Sequence, residues 1–188
     1  MTAPPTPPPV ITIARAEKLR SADLHDLCDA AEAAIRDGGG FGWLTPPPPE
    51  LMERYWRGVV LIPERVLLVG RIDGVIGGAV QLFRPPANNE AQAHAATLTM
   101  LFVTPWARRH HLGEALVCGA IEYAHNLGAK TLNLDVRETQ QPALALFEKL
   151  GFVRWGRHPR YAEVGGAPIA GYYLYCDLNS PLPHELTP

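Results

Sequence analysis

The feature that most constrains this 188-residue chain is a passage from an apolar run through a cationic turn into a helix, between residues 95 and 127. Residues 95–103 alternate and then become continuously apolar at Met100-Leu101-Phe102-Val103, as a strand buried near its end does. Pro105 turns the chain, and Leu112, Leu116, Ala120, Tyr123 and Leu127 then recur at helical spacing across 111–127, with Gly128 placed to end the helix. Arg108, Arg109, His110 and His111 stand between strand and helix. A first helical turn exposes unpaired N–H groups and the positive end of the helix dipole, so a phosphate can rest there with the two arginines beside it. Gly113 would let it approach the backbone closely. A solvated basic loop ahead of an ordinary helix has the same composition, and these residues alone leave both readings open.

The rest of the chain supplies a sheet for that unit to join. Residues 10–14 read as a short strand. Ser21 or Asp23 can then cap a helix with Leu24, Leu27, Ala31, Ala34 and Ile35 on one stripe, stopped at Gly38-Gly39-Gly40. A second short helix is predicted over 48–57. The β-rich runs 65–71 and 75–82 flank Asp73-Gly74, a strong hairpin signal, and should be antiparallel neighbours. Residues 131–136 form a further strand, 141–150 a helix stopped by Gly151, and 152–155 and 172–178 two last strands. This order describes an α+β protein with one mixed sheet of about seven strands and helices on its faces. Neither a P-loop nor a G-x-G-x-x-G fingerprint is present. The expected organisation is a disordered Pro-rich tail at 1–9, a single domain over 10–180 and a C-terminal tail at 181–188.

Charge and cysteine usage narrow the class of function. A formal net charge of −2 offers no general attraction to nucleic acid or to an anionic membrane, so any anion binding must be local. Cys28, Cys118 and Cys176 are far apart and odd in number, which suggests neither a disulfide framework nor a metal site. No segment resembles a signal peptide or approaches the roughly 20 apolar residues of a membrane span, so a cytoplasmic protein is expected.

Three motifs in order then resemble the GNAT superfamily of acetyl-CoA-dependent N-acetyltransferases. Val103-Thr104-Pro105 followed by Arg108-Arg109-His110-His111-Leu112-Gly113 is similar to the family's V-x-P and [Q/R]-x-x-G-x-[G/A] patterns. Leu132-Asn133-Leu134-Asp135-Val136-Arg137 is similar to its L-x-[E/D]-V-R strand. Gln140 to Phe152, with Ala143, Leu146-Phe147-Glu148-Lys149 and Gly151-Phe152, is similar to its N-x-x-A-x-x-L-Y-E-K-x-G-F helix. The close likeness runs from Ala95 to Trp155. It implies the GNAT acyl-CoA N-acyltransferase fold, mostly antiparallel, in which the strand ending at Val103 and the strand at 131–136 splay apart. Acetyl-CoA would lie in that opening, its pantetheine arm along the backbone of Leu101, Phe102 and Val103. Its pyrophosphate would lie on Arg109, His110, His111, Leu112, Gly113, Glu114 and Ala115, with Arg108 beside it and Gln140 and Phe147 as further cofactor contacts. A backbone N–H near Phe102 or Val103 would stabilise the oxyanion, and transfer to a primary amine of a small molecule, peptide or protein would be direct. Cys118, in mid-helix, is read as core. A homodimer through the C-terminal strands is allowed, although no interface motif marks one.

Three positions depart from the family pattern. His111 stands where glycine is usual and Gln140 where asparagine is usual. Phe147 stands where many relatives place the tyrosine that protonates the leaving thiolate, and phenylalanine has no proton to give. Tyr161, Tyr172 and Tyr173 are the substitute phenols, with Tyr161 favoured, while Glu90, His94, Asp135 and Glu138 are candidate bases. Phe41, Trp43, Tyr55 and Trp56 could line an acceptor pocket. Phe147 also keeps open a second reading, a CoA-binding regulatory module without turnover.

Overall fold

The computed structural model describes residues 7–39 and 42–179. Most of the proposed N-terminal tail, the C-terminal tail and Phe41 therefore lie outside the described residues. The elements are β1 (Ile11–Arg15), α1 (Ser21–Arg36), α2 (Pro49–Val59), β2 (Arg65–Ile72), β3 (Val75–Phe83), β4 (Ala95–Val103), α3 (Leu112–Asn126), β5 (Thr131–Arg137), α4 (Gln141–Lys149), β6 (Val153–Val164) and β7 (Ala167–Asp177). The strands form one sheet in the order β1-β2-β3-β4-β5-β7-β6. Its neighbours are antiparallel except for β4 and β5, which run parallel as a strand–helix–strand crossover requires.

Side-chain alternation divides the core between the two faces of the sheet. Val66 and Leu68 of β2 join Leu112, Leu116 and Ala120 of α3 and Leu144 and Phe147 of α4 on one face. Leu67 and Val69 join Leu24, Leu27 and Ile35 of α1 and Met52 and Trp56 of α2 on the other. Strands β2 and β3 read as nearly unbroken apolar runs because both of their faces are covered. The second cluster draws no residue from β5, β6 or β7 among the described residues, so that half of its face is left for the site.

Local chemistry follows expectation at one turn and departs from it at two other places. Asp73 and Gly74 both adopt positive φ, 51° and 90°, as the hairpin signal requires. The start of α1, by contrast, is not capped by Ser21 or Asp23: Arg20 is the N-cap without a side-chain bond, and Asp23 instead pairs with Arg71 at 2.5 Å. Strands β6 and β7 are much longer than the 152–155 and 172–178 expected, and they turn at Gly165-Gly166, both at positive φ. Pro159, the glycines and the many charges in this hairpin break the apolar alternation by which strands are recognised.

The sheet parts at one junction. Strands β4 and β5 pair only through Ala95–Thr97 and Thr131–Asn133. On the other side of β4 the register with β3 shifts between Ala79 and Gln81, where β4 carries one extra residue, and Met100 adopts φ 54°. A bulge bends the strand that holds it, so β4 leaves β5 as it approaches Val103.

Candidate active site

The parted strands open a cavity of about 450 Å³ on the side of the α3 N-terminus. Leu101, Phe102 and Val103 of β4 form one wall, Ala143 and Leu146 of α4 the other, and Arg108 and Gly113 one end. The first helical bond of α3 runs from the Ala115 N–H to the His111 carbonyl at 3.0 Å. The amides of Leu112, Gly113 and Glu114 precede it and have no partner one turn back. A Cβ built on Gly113 would meet Leu146 and Val103 at 3.5 Å, ordinary contact, which accounts for a family pattern that admits alanine there. These amides, the adjacent arginines and a narrow apolar slot fit a ligand that joins a pyrophosphate to an extended, uncharged arm.

His111 is the N-cap of α3 and adopts the left-handed conformation, φ 61° and ψ 11°. Glycine is usual at such a position because it pays no steric penalty there. Arg109 shares the conformation, at φ 64°. The exposed His111 imidazole lies 3.4 Å from Glu114, which Lys149 holds at 2.6 Å. The Lys149 hydrogen bond keeps the Glu114 carboxyl below its ordinary range.

Other expected contacts are placed differently. Leu112 is buried against the sheet, so only its backbone faces the loop, and Arg109 and His110 are exposed beside it. The Phe147 ring is buried in the core, edge-on to Phe152 at 5.5 Å, and does not line the cavity. Gln140 donates to the Gly38 carbonyl at 2.9 Å. Arg108 is held by Asp37 at 2.5 Å, and Arg137 donates to the Gly39 carbonyl at 2.9 Å. The Arg108 end of the cleft and its β5–α4 side are thus both tied to Asp37-Gly38-Gly39 at the end of α1. The sequence shows that glycine run as a helix stop and nothing in it signals the second role.

A second cavity, of about 590 Å³, lies on the opposite side of the junction, against the uncovered face of β5. Asp135, Arg137 and Tyr161 line it with Leu98, Met100 and Val164. The Tyr161 hydroxyl donates to the Asp135 carboxylate. Burial, and then this bond, push the phenol well above its ordinary range, so it stays protonated. Tyr173 packs edge-on to Tyr161, with ring centroids 6.2 Å apart. Tyr172 points to the other face, under Arg154 and Arg157. Among the candidate bases, Asp135 lies in the cavity and Glu138 pairs with Arg157 at 2.8 Å. Glu90 and His94 precede β4, at the end where the strands are still paired. Trp56 is fully buried in the core and Tyr55 meets it edge-on, with ring centroids 4.9 Å apart, while Trp43 lines a smaller adjoining cavity. Burial raises the Cys118 thiol, so it remains protonated.

A sheet split beside a helix N-terminus, with a second cavity across the split, is the arrangement that the GNAT resemblance implies, and comparison with known proteins shows the family. The chain belongs to the acetyltransferase (GNAT) family, whose sequence profile matches residues 25–152. An uncharacterized N-acetyltransferase in the hisH–hisA intergenic region of Azospirillum brasilense is 59% identical over 131 residues, covering 70% of this chain and 78% of that protein. The fold is shared with a putative phosphinothricin N-acetyltransferase (TM-score 0.74, 24% identity, 90% of this chain and 99% of that one). It is also shared with yncA, a putative acetyltransferase from Salmonella typhimurium solved with its cofactor acetyl-CoA (TM-score 0.73, 16% identity, 89% and 94% covered). Among the described residues, no helix is long and apolar enough to cross a membrane.

Proposed function

We propose that this protein transfers the acetyl group of acetyl-CoA to a primary amine by direct attack within a ternary complex. The observation that carries this reading is the parting of β4 and β5 after Thr97 and Asn133, which leaves two cavities meeting at one junction. The N-acetyltransferase name of the Azospirillum brasilense relative and the acetyl-CoA in the yncA structure support it.

On this reading Leu101, Phe102 and Val103 hold the pantetheine arm by strand-like pairing, and Leu112, Gly113 and Glu114 receive the pyrophosphate on their amides. Arg108, Arg109 and His111 face the phosphates, and Gln140, Ala143 and Leu146 close the slot. When bound, acetyl-CoA supplies an activated acetyl thioester. A main-chain N–H of Phe102 or Val103 steadies the negative charge that develops on the carbonyl oxygen.

Tyr161 and Asp135 handle the proton of the incoming amine. The phenol gives its hydrogen bond to Asp135, so the carboxylate is oriented toward the cavity and stays the acceptor in the pair. Asp135 takes the proton that the amine sheds as nitrogen bonds to the acetyl carbon. A phenol with a raised pKa is a weak donor to a thiolate, whose own pKa of about 8.5 makes it a tolerable leaving group without help. Phe147 is then no obstacle to turnover.

The test is an acceptor panel of the twenty amino acids, polyamines and peptides with free N-termini, incubated with acetyl-CoA while free thiol and acetylated product are followed together. Equal release of thiol and product for at least one amine is expected. Acetyl-CoA binding by calorimetry with no thiol released across the panel would favour a binding module and overturn the enzymatic reading.

A further inference from the structure

Tyr161 reaches Asp135 because the chain opposite it has no side chain. Strands β6 and β7 lose register between His158 and Ala162: His158 pairs with Gly171 and Ala162 with Ile169, so β6 spends two more residues than β7 over that interval. The excess arches at Pro159-Arg160-Tyr161, pinned by the Arg160 N–H donating to His158 Nδ1 at 3.1 Å. The arch folds the Tyr161 ring back across β7. Gly171 lies directly beneath it. A Cβ built there would fall 2.5 Å from Tyr161 Cδ1 and 2.8 Å from its Cβ, and closest of all to Cγ. Real Cβ atoms essentially never come so near, so either the ring or the strand would have to move.

Two observations separate this glycine from one required by its own backbone. Gly171 is not among the positive-φ residues, so its conformation is one that alanine adopts readily. It is paired with Arg137 of β5 and His158 of β6, at the last pair before the register break, where a glycine in a strand marks the close approach of another group. What the position cannot accept is a side chain under the ring. Tyr173, two residues along the same face, supplies the edge contact that closes the seat from the side.

We infer that Gly171 is a positioning residue for the acetyl transfer: by leaving room for the Tyr161 ring it sets the phenol on Asp135 and thereby orients the carboxylate at the acceptor cavity. This rests on the proton-handling role given above to Tyr161 and Asp135. Gly171 does not line the cofactor cavity, so its direct effect falls on the acceptor side.

The experiment is a double-mutant cycle of Gly171→Ala and Tyr161→Ala in the full chain. Thermal midpoint, acetyl-CoA affinity by calorimetry, and kcat and KM with the best amine of the panel are read for all four proteins. In the wild-type background Gly171→Ala should lower the thermal midpoint and reduce kcat by about tenfold to a hundredfold, the scale of a small misplacement of an acting group, with acetyl-CoA affinity within about twofold. In the Tyr161→Ala background the same substitution should leave kcat unchanged and the midpoint equal or higher, because the added methyl then has space. Equal losses in both backgrounds would make Gly171 an ordinary structural glycine and overturn the inference. Coupling in the thermal midpoint with kcat untouched would overturn the positioning role and, with it, the part assigned to Tyr161. The midpoint reads the seat without turnover, so an absence of acetyl transfer is distinguishable from a failure of the packing.

Discussion

The carboxylate of Asp37, just past the end of α1, stands 2.5 Å from the guanidinium of Arg108, just ahead of α3. Both residues line the cavity beside the α3 N-terminus, so the pair engages a cation that the proposed function gives to a phosphate. Both side chains are more than two-fifths exposed, so the pair itself contributes only about 0.2–1 kcal/mol. Removing Asp37 should therefore strengthen cofactor binding modestly. Asp37→Asn is expected to tighten acetyl-CoA by about twofold to fivefold in low-salt calorimetry, with the gain shrinking at high salt. Arg108→Ala should weaken it by about tenfold or more, a charged hydrogen bond being worth about 1.5–3 kcal/mol. In the Arg108→Ala background Asp37→Asn should add little. An Asp37→Asn protein that binds acetyl-CoA more weakly would show that Asp37 supports the cleft instead of competing for it.

His111 carries left-handed backbone where glycine is the usual residue. A non-glycine side chain in that region costs on the order of 1 kcal/mol, partly offset by the extra unfolded-state freedom of glycine. His111→Gly should raise stability by about 0.5–1 kcal/mol in urea unfolding, and acetyl-CoA should still bind, since the amides of Leu112 to Glu114 keep their places. A loss of stability would mean that the contact with Glu114 outweighs the strain.

Secondary structure is most legible in this sequence where local chemistry and tertiary role coincide. The Asp73-Gly74 turn, the strand at 95–103 and the helix stops at Gly128 and Gly151 all stand where propensity alone puts them. The parted strands were legible only through the family resemblance, because the cause, a bulge at Met100, leaves no mark in an apolar run. The hairpin of β6 and β7 was legible only at its ends, for its arch at Pro159 and its gap at Gly171 look like loop residues in one dimension. Asp135 and Tyr161 could each be named as candidates, yet their hydrogen bond depends on that arch and on no spacing in the chain. The tie from Asp37-Gly38-Gly39 to Arg108, Arg137 and Gln140 joins residues about 70 to 100 positions apart, beyond any local signal.

Phe147 offers a test of placement. Its ring is buried to within 3% of full exclusion and lies against Phe152. A hydroxyl added there without a partner would lose its hydration, at a cost of about 1–3 kcal/mol. Phe147→Tyr, although it restores the residue usual in the family, should lower the thermal midpoint and leave kcat no higher. A clear rise in kcat would show that the added phenol reaches the cleft and that the acid was wanting.

The Tyr161–Asp135 pair should be visible in the alkaline stability of the protein. Burial and the bond to Asp135 raise the folded-state pKa of the phenol above the ordinary value of about 10 found in an unfolded chain. The stabilisation is thus fully present below pH of about 10, where both states are protonated. Above that, the unfolded chain releases its proton while the folded one retains it, so stability falls as pH rises toward the folded pKa. Tyr161→Phe has no proton to lose at this site, and its stability should decline less steeply over the same range. Urea unfolding at neutral pH and in steps above pH of about 10 measures both slopes. Parallel curves for the two proteins would mean that the Tyr161 phenol titrates alike folded and unfolded, and would remove the hydrogen bond to Asp135 from the account of the acceptor site.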